Sequence, residues 1–130
     1  MATRYLSMMD VLALHAEMME GMGEHRSPLR DEGLLESAVF RPQMAGFYEE
    51  ADIIRQAALL AAGLSQNQPF VDGNKRTAYI ACVTFLRING QPFTGEPIDL
   101  AREIEAIAMR GDSLDAATRR FEDWLRERVV

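Results

Sequence analysis

The sequence of 130 residues is short of cysteine, histidine and positive charge, and it has no apolar run that could span a membrane. Its single cysteine, Cys82, cannot form an internal disulfide, and its apolar neighbours favour a buried position in a reducing compartment. Lys and Arg total 14 against 20 Asp and Glu, and the net charge of -6 at pH 7 argues against nonspecific nucleic-acid binding. The first turns show no signal-peptide pattern. We expect a soluble cytoplasmic protein with no membrane partner and no direct nucleic-acid partner.

What is present is the composition and periodicity of a helical globular domain. Hydrophobic residues make up 48% of the chain and charged residues 26%, and the length suits a single domain, residues 1–130, better than two. Apolar residues recur at helical spacing along most of the chain. This periodicity predicts an all-α domain of about six helices, over residues 7–21, 31–40, 51–67, 74–89, 97–109 and 113–128.

Polar capping residues and proline mark the expected helix ends. The candidate N-caps are Ser7, Asp31, Asp112 and Ser113. The second helix is expected to end before Pro42, because the residue that precedes a proline disfavours helical geometry. Residues 41–48 contain this proline, a glycine and two aromatic residues, and they are expected to form an exposed turn or a short flap hairpin.

The helix predicted over residues 74–89 is apolar nearly all round, which indicates a helix buried at the centre of the domain. A buried strand is the competing interpretation. The length of the segment up to the Asn89-Gly90 stop favours the helix.

The segment NQPFVDGNKRT interrupts the helical pattern with a polar loop just before this apolar helix. A helix N-terminus carries unpaired N–H groups and partial positive charge, so it attracts anions. Gly73 leaves room for a phosphate, and Asn74 can cap the helix or donate a hydrogen bond. Lys75 and Arg76 add full charges, while Asp72 suits a Mg²⁺ ion that bridges its carboxylate to phosphate oxygens. The pattern fits an anion site, with an ordinary polar loop as the alternative, and it is not a P-loop.

The sequence PFVDGNKR within this segment resembles the motif of the Fic/death-on-curing (Fido) superfamily, His-x-Phe-x-(Asp/Glu)-(Gly/Ala)-Asn-(Gly/Lys)-Arg. With Lys75, the motif resembles that of the death-on-curing branch, whereas relatives that transfer AMP usually carry glycine at this position. The likeness extends to RDEGLLESA at residues 30–38, to the Arg41-Pro42 pair and to the segment FLRING. The resemblance implies a Fic/Doc (Fido)-like helical bundle that spans most of the chain.

The resemblance also implies a function. Proteins of this branch are toxins of type II toxin-antitoxin modules that move phosphate from ATP, with Mg²⁺, to a translation elongation factor. By match to the motif, Asp72 would ligate Mg²⁺, and Arg76 would stabilise charge on the transferred phosphoryl group. The residues that would cradle the phosphates are Gly73, Asn74 and Lys75. Residues 41–48 correspond in order to the family's flap, which docks the target peptide by strand addition.

The chain departs from the motif at Gln68, which stands where the family has its catalytic histidine. That histidine takes the proton of the target hydroxyl, and glutamine has no pKa near neutrality with which to do so. A general base contributes a factor of about 10² to 10⁴ to the rate, so we expect a site that binds nucleotide but transfers phosphate poorly. His15 is predicted to be a hydrogen-bonded core residue and His25 a solvated one. Gln68 fits either a natural member with changed activity or a deliberate substitution in a toxic protein.

Two alternative functions stay open. A non-catalytic Fido-fold protein that binds a nucleotide or an antitoxin would tolerate Gln68. An AMP-transferring enzyme is the other, and Lys75 argues against it because a long cation would obstruct the phosphates. The nearest match to the family's inhibitory helix signature, from Thr118 to Glu122, lies on an ordinary amphipathic helix and is interpreted as structural. The resemblance therefore implies a separate antitoxin with a disordered segment that folds onto this protein.

Overall fold

Six α-helices make up the regular secondary structure of the part described by the computed structural model, which comprises residues 2–23, 28–109 and 113–130. The helices are α1 (Met8–Gly21), α2 (Glu32–Tyr48), α3 (Ile53–Asn67), α4 (Asn74–Ile88), α5 (Pro97–Met109) and α6 (Leu114–Arg126). Within these ranges the chain forms only two isolated antiparallel bridges and no strand. None of the described helices has the length and apolar character needed to cross a membrane. The prediction of an all-α, Fido-like bundle of about six helices is confirmed.

Side-chain oxygens cap the N-termini of α1, α2, α3 and α6. The capping residues are Ser7, Asp31, Asp52 and Ser113. Ser7 and Asp10 form a reciprocal capping box, in which each side chain accepts a hydrogen bond from the backbone N–H of the other. Three of these caps are confirmed predictions, whereas Asp52 is one that sequence reasoning missed. The alternative cap Asp112 lies outside the described residues.

The most enclosed helix is α3, in which every residue from 56 to 65 is buried. Alanines and Gly63 dominate this stretch and let the neighbouring helices approach closely. A Cβ atom on Gly63 would lie 3.2 Å from the Cα atom of Ala38 on α2. The helix predicted over residues 74–89 is present as α4, but only six of its residues are buried, and its other side lines a groove. The centre of the bundle is therefore α3 and not α4, because the smaller side chains of α3 allow contacts on all sides.

Residues 41–48 are helical, so the prediction of a turn or flap hairpin there is wrong. Helix α2 continues through Pro42, which is buried, and ends only at Tyr48. Gly46 lies so close to α3 that a Cβ atom there would be 2.9 Å from Nε2 of Gln56. The packing of this face against α3 outweighs the local tendency of proline to end a helix.

Candidate functional site

The loop between α3 and α4 begins where Gln68 turns the chain out of α3. Gln68 has φ 49° and ψ 59°, the left-handed conformation in which many helices end. The Arg30 guanidinium donates to the carbonyl oxygens of Gln68 and Asn67, at 2.8 and 2.9 Å. Arg30 thus satisfies two carbonyls at the exposed end of α3. Sequence reasoning missed this role, because a contact between residues 37 positions apart leaves no local pattern.

Residues 28–31 run beside the loop and hold it with backbone hydrogen bonds. The Pro69 carbonyl oxygen accepts from the N–H groups of Arg30 and Asp31, at 2.7 and 3.1 Å. An isolated antiparallel bridge one position further along continues the pairing. The segment beside the loop is therefore residues 28–31 and not residues 41–48, the segment that the resemblance matched in order to the flap.

Two stacked rings support the loop from below. Phe70 is 1% exposed, and its ring lies parallel to that of His15 on α1, with centroids 3.7 Å apart and an interplanar angle of 3°. His15 Nε2 is 3.0 Å from the carbonyl oxygen of Asp72, which can only accept, so this nitrogen carries the proton. The prediction of a hydrogen-bonded core histidine is confirmed. The structure adds that His15 fixes the backbone of the loop at Asp72.

The Asn74 side chain closes the loop onto itself. Its Oδ1 accepts from the Phe70 N–H at 2.9 Å, and its Nδ2 donates to the Phe70 carbonyl oxygen at 2.8 Å. Both polar atoms of the amide are thus used within the loop. The backbone N–H of Asn74 is not used in this closure and stays available to a bound anion.

The first turn of α4 has no side-chain cap. Gly73 occupies the N-cap position with φ 82°, a left-handed conformation that glycine adopts without strain. Among the described residues, the N–H groups of Asn74, Lys75 and Arg76 have no acceptor. The first bonded donor of this helix is the Thr77 N–H, which is 2.9 Å from the Gly73 carbonyl oxygen. Three aligned donors at a helix N-terminus form a local anion-binding arrangement.

These donors open into a pocket of about 540 Å³ at the surface. Its lining contains all six residues singled out in the sequence, together with two neighbours. The lining residues are Ser65, Gln68, Val71, Asp72, Gly73, Asn74, Lys75 and Arg76. The structure therefore brings the candidate site residues together in one place, while what they bind stays a prediction.

The two cations of the pocket are held loosely. Lys75, which is the single lysine of the sequence, has its Nζ atom 4.0 Å from a Glu105 carboxylate oxygen, with a half-exposed side chain. Arg76 is exposed, and its Nη1 atom is 3.0 Å from the sulfur of Met22. An exposed ion pair at such a distance contributes little, so neither side chain is committed to a strong internal partner. Both can turn towards a bound anion at low cost.

The donor set fits a Mg²⁺ ion that arrives with a nucleotide. The described residues contain no cluster of three or more His, Cys, Asp or Glu side chains that could hold a metal alone. Mg²⁺ commonly needs only one or two carboxylates, because phosphate oxygens and water complete its octahedron. Asp72 lines the pocket and its Oδ1 accepts from the Gly73 N–H at 2.8 Å, which fixes the carboxylate beside the phosphate donors. Asp72 would be the protein ligand of such an ion.

Proton transfer is the function for which this pocket lacks a group. Gln68 is exposed and lines the pocket, but its amide does not titrate. His15 is 2% exposed and lies beneath the loop, with Nε2 bonded to a carbonyl oxygen. His25 lies outside the described residues. No histidine among the residues that the structure describes reaches the pocket from its open side.

The segment that resembles an inhibitory helix has structural contacts. The Thr118 hydroxyl donates to the Leu114 carbonyl oxygen at 2.7 Å within α6. Glu122 accepts from Arg55 on α3 and from Arg126, both at 2.7 Å. These contacts agree with the structural interpretation of this segment.

Comparison with known proteins agrees with this geometry. The model of the Fic/DOC family matches residues 5–86, which include α1 to α3, the loop and most of α4. Toxin Doc of Mycolicibacterium smegmatis (strain ATCC 700084 / mc(2)155) is 37% identical over 118 residues, a stretch that covers 88% of this chain and 88% of that protein. The chain therefore belongs to the Fic/DOC family, in its death-on-curing branch.

Proposed function

We propose that this protein is a death-on-curing-like toxin that moves phosphate from ATP to a translation elongation factor, at a rate limited by Gln68. The observation that carries the proposal is the uncapped N-terminus of α4, which shares one pocket with Lys75, Arg76 and Asp72. The 37% identity to Toxin Doc supports the setting of a toxin-antitoxin module.

Binding of the nucleotide phosphates follows from the charges of the pocket. Three backbone N–H groups and two cations supply positive potential, while Asp72 alone would repel a bare phosphate. Mg²⁺, when bound, would neutralise phosphate charge and turn this repulsion into attraction. The rigid backing of the loop, from His15 and Asn74, holds these groups in place before the ligand arrives.

Transfer needs a positive charge on the moving phosphoryl group and an acceptor for a proton. Arg76 can supply the charge, because within residues 2–23, 28–109 and 113–130 its exposed guanidinium has only a thioether contact. When the target hydroxyl oxygen bonds to phosphorus and ADP leaves, the hydroxyl proton must also leave. Gln68 can hydrogen-bond the hydroxyl but cannot take the proton, which then passes to water. The reaction stays balanced but slow.

The test is Gln68→His, with Gln43→His on the exposed face of α2 as the control for adding a histidine elsewhere. Transfer of labelled phosphate from ATP to purified elongation factor should rise by a factor of about 10² to 10⁴ in the first variant only. Mass spectrometry of the target separates addition of phosphate from addition of AMP. No rate increase, or a mass that corresponds to AMP, would contradict the proposal.

The antitoxin expected from this proposal has a fitting surface next to the pocket. A groove of about 750 Å³ runs between α1, α4 and α5, with a mostly apolar lining. Its lining residues are Leu14, Glu17, Met18, Lys75, Arg76, Tyr79, Ile80, Thr84, Arg87, Ala101 and Glu105. Lys75 and Arg76 belong to both cavities, so a disordered antitoxin segment that folds into the groove would also cover the phosphate site.

Substitution of Ile80 by Asp should weaken antitoxin binding, because it places an unpaired charge in the groove. Ile98→Asp makes the same change on an exposed face of α5 outside the groove and is the matched control. Equal affinity of the two variants, measured by calorimetry with the antitoxin, would place the antitoxin elsewhere.

A second candidate function is a non-catalytic nucleotide- or antitoxin-binding protein. It is favoured by Gln68 together with an otherwise complete set of phosphate donors. Under this hypothesis Gln68→His changes nothing, whereas Lys75→Ala weakens ADP binding. Arg102→Ala, which removes an exposed cation of α5, keeps the net charge matched. Restored transfer in Gln68→His would reject this second function.

A further inference from the structure

A stripe of large apolar side chains lies on the exposed face of α2. Phe40, Met44, Phe47 and Tyr48 are 47%, 54%, 78% and 71% exposed. Their spacing of four, three and one residues puts them on one face of the helix. The opposite face supplies the buried residues Leu35, Ala38, Val39, Pro42 and Ala45. The four exposed residues, named here the α2 stripe, therefore have no part in the core.

The α2 stripe is separate from the phosphate pocket. Phe47 and Tyr48 lie near the start of α3, because only four residues separate α2 from that helix. Gln68 follows the end of α3, which has 15 residues and a length of about 22 Å. The stripe consequently needs a role of its own. Exposed apolar patches of this kind mark interaction surfaces, and aromatic residues are enriched in such surfaces.

The two exposed aromatic rings are already arranged against one another. Phe47 and Tyr48 pack edge to face, with centroids 4.9 Å apart and an interplanar angle of 79°. Such a pair presents a wide apolar surface. Because the two rings already pack against each other, few side-chain torsions have to be ordered when a partner binds.

The exposed charged residues between positions 31 and 50 all carry negative charge. Glu36, Glu49 and Glu50 are exposed at its two ends. Arg41 is the one cation between residues 31 and 50, and its guanidinium is half-buried and 3.8 Å from the Asp115 carboxylate. The surface is thus apolar in the middle and negative at both ends.

This charge pattern disfavours a second copy of the chain as the occupant. In a two-fold antiparallel pairing centred on Met44, Phe40 would face Tyr48 of the other copy, and the exposed Glu36 would lie at the same end of the pair as Glu49 and Glu50 of that copy. Acid would meet acid at both ends, which is destabilising. An anionic lipid surface is disfavoured for the same reason.

We propose that the α2 stripe docks an amphipathic helix of a partner protein, one whose apolar face is flanked by Lys or Arg. The apolar side chains of the partner helix, spaced like those of α2, would fit between the aromatic rings of the α2 stripe and Met44. The Lys or Arg residues of the partner would pair with the carboxylates at the two ends of the stripe. This docking surface is independent of the proposed phosphate chemistry.

The experiment uses two synthetic helical peptides, each with leucines on one face, flanked by lysines in one and by glutamates in the other. Binding to the full chain is measured by fluorescence anisotropy. The variant Phe47→Ser/Tyr48→Ser removes the aromatic pair. Its control, Ile98→Ser/Val130→Ser, removes two exposed apolar side chains outside α2.

The lysine peptide should bind the wild-type chain, with a Kd that rises about tenfold or more in Phe47→Ser/Tyr48→Ser and stays within about twofold in the control. The glutamate peptide should not bind measurably. The proposal is overturned if both variants lose affinity equally, or if neither does, since either outcome means general attraction to an acidic protein. It is also overturned if the wild-type chain sediments as a dimer that Phe47→Ser/Tyr48→Ser dissociates, or if anionic vesicles bind through the same two residues.

Discussion

The N-termini of α3 and α4 are first turns of neighbouring helices in one bundle, yet they are completed differently. At α3, the Asp52 carboxylate accepts from the Arg55 N–H at 2.9 Å and from the Arg126 guanidinium at 2.6 Å. At α4, the N-cap is Gly73, which has no side-chain oxygen to offer. The positive end of α3 is thus neutralised by the chain itself, whereas no side chain among the described residues caps the positive end of α4. Glycine at an N-cap costs roughly a few tenths of a kcal/mol relative to Ser, Thr or Asp, and a phosphate that binds there would accept from the uncapped N–H groups.

The largest effect is expected from closing the α4 terminus with a methyl group. Gly73→Ala places a Cβ atom 3.0 Å from the Met19 sulfur and keeps a left-handed φ of 82°. That conformation costs an L-residue about 1 to 2 kcal/mol, and the shift of the loop should abolish binding of ADP. Urea unfolding and calorimetry measure the two effects.

Gly90→Ala is the matched control, because its φ is 76° and nothing lies within 4 Å of the added methyl. It should lose a similar amount of stability and keep full ADP affinity. Retained affinity in Gly73→Ala would show that the first turn of α4 does not hold the phosphates.

The second effect in size is stabilisation by ligand. Because inorganic phosphate should bind the folded α4 terminus and not the unfolded chain, a concentration about ten times its Kd should raise the free energy of unfolding by ~1.4 kcal/mol. Chloride at equal ionic strength is the control for screening. The gain should shrink in Lys75→Ala, and a gain of the same size in that variant would mean that phosphate binds elsewhere.

The features of these helix N-termini that depend on contacts between residues close in sequence could be predicted from local sequence patterns. Ser7 and Asp31 bond to N–H groups three residues away, so their spacing alone reveals them. Asp52 obeys the same rule and precedes an apolar run, so it could have been found. The motif of the loop likewise places Gln68 and the residues of the anion site close together, since few positions separate them.

Contacts between distant segments were beyond such reasoning. The hydrogen bond between His15 and the Asp72 carbonyl oxygen joins residues 57 positions apart, and neither residue type predicts the other as its partner. Pro42 misled for the opposite reason, because a strong local rule gave way to packing against α3. The position of residues 28–31 beside the loop rests on backbone hydrogen bonds, which carry no side-chain signature at all.

The third effect tests the N-terminus of α3, which the side chain of Asp52 caps. The hydrogen bond from Arg126 lowers the pKa of Asp52 below its ordinary value of 3.8. A carboxyl with a depressed folded-state pKa stabilises the protein above its unfolded pKa, and this stability is lost as the pH falls through the folded value. Asp52→Ala should therefore cost about 1 kcal/mol near neutral pH, and in strong acid the difference from wild type should shrink to the contribution of the neutral cap. Asp52→Asn keeps a capping oxygen and should cost less; equal costs would assign the whole effect to the charge.

A last effect is expected at Cys82, two turns into α4, where the end of the helix and its interior can be compared directly. A helix N-terminus lowers the pKa of a nearby thiol, but this influence fades within the first turn, and Cys82 lies eight residues beyond Asn74, about 12 Å along the axis. Burial dominates instead and raises the pKa of Cys82 to about 12.

The native protein should therefore resist thiol reagents near neutral pH and react only when it opens. Phosphate bound at the α4 terminus should slow the modification of Cys82 by the same factor by which it stabilises the folded protein. The variant Gly73→Ala is expected not to bind phosphate, so its Cys82 should react at the same rate with or without phosphate. Rapid modification of the native protein would mean that α4 opens locally at Cys82, independently of its N-terminus.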